Sequence, residues 1–334
     1  MSGGGDPMRA LVITGAGGPE CLALREVPRP EPGPGEVVVA VQAAGLNRAD
    51  LLQLAGRYPA PPDAPADIPG LEYAGVIAAT GAGVNGWRPG DRVFGIASGG
   101  THAEFVRVPA DTLAALPDAL PFAEAAAIPE AFITAHDAMV TQAGFATGSR
   151  LLVSAVGSGV GLAAVQLAVA LGGDAFGTSR TAEKLARAKS YGMTAGCEDG
   201  DPAALVAAVR EWSGGRGADV LVDLVGGTGL PGRLAALAPK GTAVIVGLVA
   251  GRTASLDLGL VLAKRLTLRG TVLRSRSVEE KAAATAAFAR DVVPLVTRGT
   301  VRPVVEAVLP FAQAADAYAR MASDATFGKL VLTW

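Results

Sequence analysis

Residues 153–161 read VSAVGSGVG; they follow the apolar run Arg150-Leu-Leu-Val-Ser154 and lead straight into LAAVQLAVALGG. Gly157, Gly159 and Gly161 fall in the turn. Glycines there let the backbone approach a pyrophosphate closely, and the unpaired N–H groups of a helix start supply donors and a favourable dipole. The spacing departs from G-x-G-x-x-G and would be weak in isolation. A strand before it, an amphipathic helix after it and another strand starting about 14 residues later give it context. It predicts a dinucleotide site, with a purely structural turn as the competing reading. No GKS or GKT follows, which removes the main support for nucleoside triphosphate hydrolysis.

The next strand bears on which dinucleotide. A site for NAD usually carries Asp or Glu near that strand's end, on the ribose 2′-hydroxyl. Here the end reads Gly177-Thr178-Ser179-Arg180, with Lys184 close behind; Asp174 comes too early and Glu183 too late. The hydroxyls of Thr178 and Ser179 and the cations Arg180 and Lys184 suit a 2′-phosphate, so NADPH is favoured over NADH. The alternative is that both cations are ordinary surface residues. Later strand ends also carry glycine, at Gly226-Gly227 after LVDL and at Gly247-Leu248 after AVIV, and can allow close passage of the cofactor.

Around this turn the chain alternates. Apolar runs at Leu151 to Ser154, Ala175 to Thr178, Val220 to Leu224 and Thr242 to Gly247 are separated by helix-like stretches at Gly161 to Leu171, Thr181 to Tyr191, Pro202 to Trp212 and Gly229 to Leu237. Strand alternating with helix means a parallel sheet covered on both faces. Before Pro121 the pattern differs: short runs at Arg9 to Thr14, Glu36 to Ala43, Gly75 to Thr80, Asp91 to Ile96 and Ala103 to Pro109 predict a barrel-like β domain. Arg57 to Pro69 is turn-rich and is a candidate site-lining loop. Phe122 to Met139 has helical spacing despite Pro129. After the strand-like Leu266 to Leu273 come a predicted helix over Val278 to Val296, an extended Val301 to Leu309, a helix over Phe311 to Met321 and a terminal strand, Gly328 to Leu332, which could return to the barrel. The expected fold is α/β, a parallel-sheet domain inserted into a β-barrel domain, with 1–124 as the first part of the barrel domain, 125–266 as the cofactor domain, and 267–334 as sheet-edge strand, helix and return.

Composition narrows the function. The 334 residues include 2 Cys, 2 His and 44 Gly and carry a formal charge of −2; apolar residues make up 50% and charged residues 18%. That excludes a disulfide scaffold and disorder, and offers no basic excess for nucleic acid. No uninterrupted apolar stretch is long enough to span a membrane, and MSGGGDPM lacks the features of a secretory signal, so a loose tail and a cytoplasmic enzyme are expected. Cys21 and Cys197 read as free thiols. His102 and His136 belong to no HExxH, HxxEH or Cys/His cluster, so no metal is expected, and no GxSxG elbow is present. Hydride transfer needs only a nicotinamide aimed at an electron-poor carbon.

Several longer stretches add a resemblance: AAGLNRADLLQLAGRYPAPP at 43–62, PGLEYAGVI at 69–77, AAAIPEAFITA at 125–135, SAVGSGVGLAAVQLA at 154–168 and VLRSR at 272–276. Over nearly all of residues 8–334 the chain resembles the zinc-independent quinone oxidoreductases of the medium-chain dehydrogenase/reductase superfamily, most of all the zeta-crystallin-like, p53-inducible type. Zinc-containing relatives carry ligands in the segments that read Asn47 and Leu71 here. The resemblance implies a GroES-like domain, a Rossmann domain, NADPH in a cleft between them, and usually a homodimer.

By match to the family's motifs, Asn47 and Tyr58 would line the nicotinamide and substrate end, and Thr134 would contact the nicotinamide-side ribose or phosphates. Gly157, Ser158, Gly159 and Val160 would hold the pyrophosphate, Ser179 and Lys184 the 2′-phosphate, and Phe327-Gly328-Lys329 would return toward the cofactor. The family normally has Gly where Arg180 stands. Asn47 can equally be a polar turn cap and Tyr58 a partly buried aromatic; Glu72, if buried, needs a partner such as Arg. The implied reaction passes hydride from NADPH to an ortho- or para-quinone, with water or Tyr58 supplying the proton. Reduction of an enone or enal double bond on the same scaffold, and a non-catalytic NADPH-binding crystallin-like or regulatory protein, are the rivals. Residues 266–276, an apolar strand with a basic tip, would form the homodimer edge.

Overall fold

A computed structural model describes residues 6–334; the MSGGG start, read above as a loose tail, lies outside the described residues. The chain divides into two compact units. One takes residues through Glu130 together with Leu273–Thr297 and Arg302–Trp334, and the other takes Ala131–Val272 and Arg298–Val301.

The second unit is built on six parallel strands in the spatial order Ala195–Glu198, Asp174–Ser179, Arg150–Val153, Ala218–Asp223, Leu237–Ile245, Thr267–Gly270. Numbered along the chain, that is 3-2-1-4-5-6, the doubly wound Rossmann order, whose direction reverses between Arg150–Val153 and Ala218–Asp223. The helix Gly159–Ala170 is buried from Gly161 through Ala168, which explains its almost uninterrupted apolar sequence. Helix starts are capped locally. Ser158 Oγ accepts from the Gly161 amide at 3.1 Å, and Asp201 caps Pro202–Trp212 by accepting from Ala203 and Ala204.

The first unit carries a seven-stranded sheet in the order Val305–Pro310, Lys329–Thr333, Glu36–Gly45, Glu72–Thr80, Arg92–Ile96, Leu113–Ala115, with Phe105–Pro109 paired to the start of Glu36–Gly45. The terminal strand Lys329–Thr333 lies antiparallel to Glu36–Gly45, so the chain's end does return to the sheet formed by its beginning. A separate hairpin pairs Pro7–Ile13 with Leu22–Pro28. Inside the sheet Val37, Val39, Val41, Tyr73, Ile77, Val93 and Leu332 form one buried cluster, closed by Phe311 and Tyr318.

Several expected elements differ. Phe122 to Met139 is not one helix: it splits into Phe122–Ala125, Pro129–His136 and a π-helical stretch, Asp137–Gln142. Proline lacks the N–H an interior position needs and is at home in a first turn, so Pro129 opens a new helix. The predicted helix over Val278 to Val296 likewise stops at Asp291 and resumes as Val293–Thr297, with Pro294 in the new first turn. The strands Leu22–Pro28, Leu113–Ala115 and Ala195–Glu198, and the helices Arg48–Leu54 and Leu258–Lys264, were not expected from periodicity. All are seven residues or fewer, too short for a period to declare itself. Arg57 to Pro69 holds no helix or strand. Among the described residues no helix is long and apolar enough to cross a membrane.

Candidate functional site

Two clusters emerge, one in each unit. In the parallel-sheet unit the strand Arg150–Val153 ends in a turn with Ala155 in the left-handed region (φ 49°), and the helix then starts at Gly159. The first N–H groups of a helix have no intrahelical acceptor. Ser158 Oγ takes that of Gly161, leaving those of Gly159 and Val160 as helix-start donors, with no acidic residue in the first turn to compete for them. Gly161 must be glycine for the fold itself, because a Cβ would lie 2.7 Å from the Ala155 carbonyl and 2.8 Å from Val156 Cα.

Beside the turn, where the strand order reverses, Ser154 Oγ donates to Asp223 Oδ1 (2.7 Å) and accepts from the Leu224 amide (2.8 Å). Buried Arg233 lies against Asp223 (3.2 Å) and donates to the Gly226 carbonyl (2.7 Å), pinning the Gly226 turn at φ 64°. Gly247 follows the adjacent strand, with Leu248 exposed at 47%.

The predicted phosphate residues separate. Thr178 is wholly buried, its hydroxyl without a partner, and Ser179 is buried with its Oγ accepting from the Thr181 amide at 3.4 Å. Arg180 is exposed and Lys184 half-buried at the start of the next helix. This strand's own end carries no carboxylate; the neighbouring strand brings Glu198 into register with Ser179, and the Asp199 amide donates to the Ser179 carbonyl at 2.8 Å. The helix-start amides of Gly159 and Val160 suit the pyrophosphate of a dinucleotide. Thr134 is buried on Pro129–His136.

In the first unit the side chains are charged and deeply placed. Glu72 is wholly buried at the start of its strand. The basic partner expected from sequence, such as an arginine, is Lys329, its Nζ 2.5 Å from Glu72 Oε1. The strands bearing these two residues lie on either side of Glu36–Gly45, which brings the charges together. Lys329 also donates to Asn47 Oδ1 (2.6 Å) and the Leu46 carbonyl (2.5 Å), so it ends among barrel residues, while Phe327 two residues earlier is buried.

Asn47 does occupy the N-cap position of Arg48–Leu54, and its amide donates to Asp50 Oδ2 (2.7 Å), but its carboxamide serves the cluster, donating to Glu72 Oε1 at 3.0 Å. An ammonium in contact with both Asn47 and Glu72 opposes a second cation there, and Leu71 is buried. Among the described residues no group of three or more His, Cys, Asp or Glu is arranged to hold a metal. His102 is a core residue. Its Nδ1 faces the Tyr318 hydroxyl at 3.0 Å, and burial holds its pKa below the ordinary value.

The Tyr58 loop is held by residues far along the sequence. Arg274, 5% exposed, donates to the Ser98 carbonyl (2.7 Å), Gln53 Oε1 (2.6 Å) and the Tyr58 carbonyl (3.4 Å), and its guanidinium lies 5.1 Å from the Tyr58 ring centroid. This corrects the sequence reading of 266–276 as a strand with a basic tip: Arg274 turns inward, because its planar fork finds three acceptors in the barrel unit. Burial raises the Tyr58 hydroxyl pKa against the opposing pull of Arg274.

Sequence reasoning missed Glu130, whose backbone N–H donates to Glu72 Oε2 at 2.9 Å, and also Asp50, Arg274 and the Ser154–Asp223–Arg233 set. A carboxyl inside the apolar run AAAIPEAFITA was the one available hint for Glu130.

Comparison with known proteins adds the following. Residues 159–289 match the family model described as zinc-binding dehydrogenase, and residues 33–118 match the alcohol dehydrogenase GroES-like domain. The rat synaptic vesicle membrane protein VAT-1 homolog is 31% identical, over 98% of this chain and 84% of its own length. A quinone oxidoreductase of Lama guanicoe is 30% identical over 99% of both chains. A mycobacterial protein solved in complex with NADPH superposes with a TM-score of 0.86 at 29% identity, covering 98% of this chain and all of that one.

Proposed function

From the chain's family, since it belongs to the medium-chain dehydrogenase/reductase superfamily close to the VAT-1 and zeta-crystallin-like zinc-independent quinone oxidoreductases, we propose an NADPH-dependent quinone reductase. The chain is an NAD(P)H-dependent oxidoreductase of that branch, and its described residues include no cluster of metal ligands. Small ortho- or para-quinones are the finer reading of its substrate. The observation that carries the choice of NADPH is the strand end Ser179-Arg180, which has cations and no carboxylate to receive a ribose 2′-hydroxyl.

NADPH, when bound, supplies the hydride. The turn Gly157-Ser158-Gly159-Val160, through the helix-start amides of Gly159 and Val160, would hold the pyrophosphate, and Ser179, Arg180 and Lys184 the 2′-phosphate, with Thr178 buried in the strand before them. Thr134, Gly226, Gly247 and Leu248 line the path of the rest of the cofactor, and Phe327 shapes the return of the chain to Lys329. Asn47 has its carboxamide fixed by Glu72 and Lys329, so it would orient a reactant without reorganising during reaction. Tyr58, its hydroxyl kept protonated, offers an aromatic face and a hydrogen-bond donor to a quinone oxygen.

NADPH and NADH oxidation against a panel of quinones and enones tests this reading. Turnover of 1,2-naphthoquinone with preference for NADPH is expected; saturation of enones without quinone turnover would replace the substrate class. A cytoplasmic homodimer completes the proposal. The edge strand Thr267–Gly270 has a neighbour on one side only, and Val249, Leu258, Leu262 and Val272 of the same unit are 53–79% exposed. Light scattering at micromolar concentration should return the mass of two chains.

A further inference from the structure

Three carboxyl groups and two cations meet around Asn47 in the first unit, and the pairing is uneven. Lys329 directs its ammonium at Leu46, Asn47 and Glu72, three acceptors for three donors. Asp50 is satisfied by the amides of Asn47 and Gly70. Arg274 uses its fork on Ser98, Gln53 and the Tyr58 carbonyl. Glu130 is left over. Its backbone N–H serves Glu72 Oε2, and among the described residues no donor or cation is placed on its own carboxyl. Ionising it would set a second negative charge beside Glu72 where little water remains to screen it. Glu130 as a whole residue is half-buried, at the first turn of Pro129–His136.

We propose that Glu130 is the proton donor of the reduction, handing its proton to the substrate oxygen that gains negative charge. This rests on the quinone reductase reading above. The quinone takes two electrons and one hydrogen as hydride; the carboxyl O–H bond of Glu130 breaks as the second hydroquinone O–H bond forms. Water then returns a proton to the Glu130 carboxylate. The sum is quinone, NADPH and one proton giving hydroquinone and NADP+.

The electrostatics agree with the pairing. Burial first, and then the Glu72 carboxylate, push Glu130 up to about 8; Asp50 pushes the same way, while Lys329 and Arg274 pull down. The start of its own helix also favours the anion, but only as one fixed partial charge against two carboxylates. An acid with a pKa near working pH transfers protons best. Tyr58, raised above its ordinary value, is the weaker acid of the two and suits hydrogen bonding more than proton delivery.

Two measurements test this. In cofactor-free protein carrying ¹³C-labelled glutamate carboxyls, infrared spectra should show a protonated carboxyl band at pH 7 that disappears through about pH 8 and is missing from Glu130→Gln. In turnover with 1,2-naphthoquinone, wild-type kcat should fall above that pH. Glu130→Gln should lower kcat by about 100-fold, abolish this alkaline limb and leave the NADPH Kd unchanged. Glu130→Asp, which keeps an acid and covers the case of a poorly folding glutamine variant, should regain part of the rate together with the limb. A glutamine variant with wild-type kcat and limb, an aspartate variant no faster than glutamine, or a wild type without the protonated band overturns the proposal. Wild-type protein that oxidises NADPH with no quinone defeats the reductase reading itself, and is recognised before any variant is made.

Discussion

The glycine turn and the charged cluster solve binding problems in opposite ways. The turn is built from backbone amides of residues 157–161, contiguous in sequence, and its side chains matter mainly by being small. The cluster is built from side chains of Asn47, Asp50, Glu72, Glu130, Arg274 and Lys329, drawn from nearly the whole length of the chain. A backbone site tolerates any substitution that leaves its path intact. A side-chain site of paired charges fails when one charge is removed, because the partner stays buried and uncompensated.

The contrast can be broken at several points. Replacing Lys329 by Met strips the cation from wholly buried Glu72 and should destabilise the protein by about 3–5 kcal/mol, read as a urea midpoint; a loss under about 1 kcal/mol would mean the cluster behaves like a surface pair. Gly161→Ala tests the other side. Its Cβ must displace backbone at Ala155 and Val156, so a cost of about 1–3 kcal/mol with weakened NADPH binding by fluorescence titration is expected. An alanine variant binding NADPH like wild type would show the turn to be looser than its geometry. The smallest effect should come from Arg180→Ala with Lys184→Ala. KM for NADPH should rise about tenfold, equivalent to about 1.4 kcal/mol, with KM for NADH unchanged. Equal changes for both cofactors would assign these cations to the surface.

Legibility followed the same division. Alternating strand and helix signals between Arg150 and Ile245 were readable because helix starts such as Gly159–Ala170 and Pro202–Trp212 are capped by their own neighbours, Ser158 and Asp201. The strand Ala195–Glu198 escaped because its four residues, Ala-Gly-Cys-Glu, carry no β signature, and it is a strand only by pairing with Asp174–Ser179. Pro129 was visible and misjudged: a proline can break a helix or begin one, and what precedes it in space decides which. Asn47 was legible as a cap, and its backbone does that job; that its carboxamide bonds Glu72 and Lys329 was not legible.

By itself, then, the sequence determined the parallel-sheet unit, the glycine turn that opens its first helix and the extended character of the last strand. Each depends on residues close together along the chain, where spacing encodes hydrogen bonding and apolar faces directly. Only the tertiary structure decided that Glu72 takes a lysine from position 329, that Arg274 faces inward to Tyr58, and that Glu130 is the carboxyl without a partner. Those outcomes turn on desolvation and on distances through space, and both exist only once strands remote in sequence lie side by side.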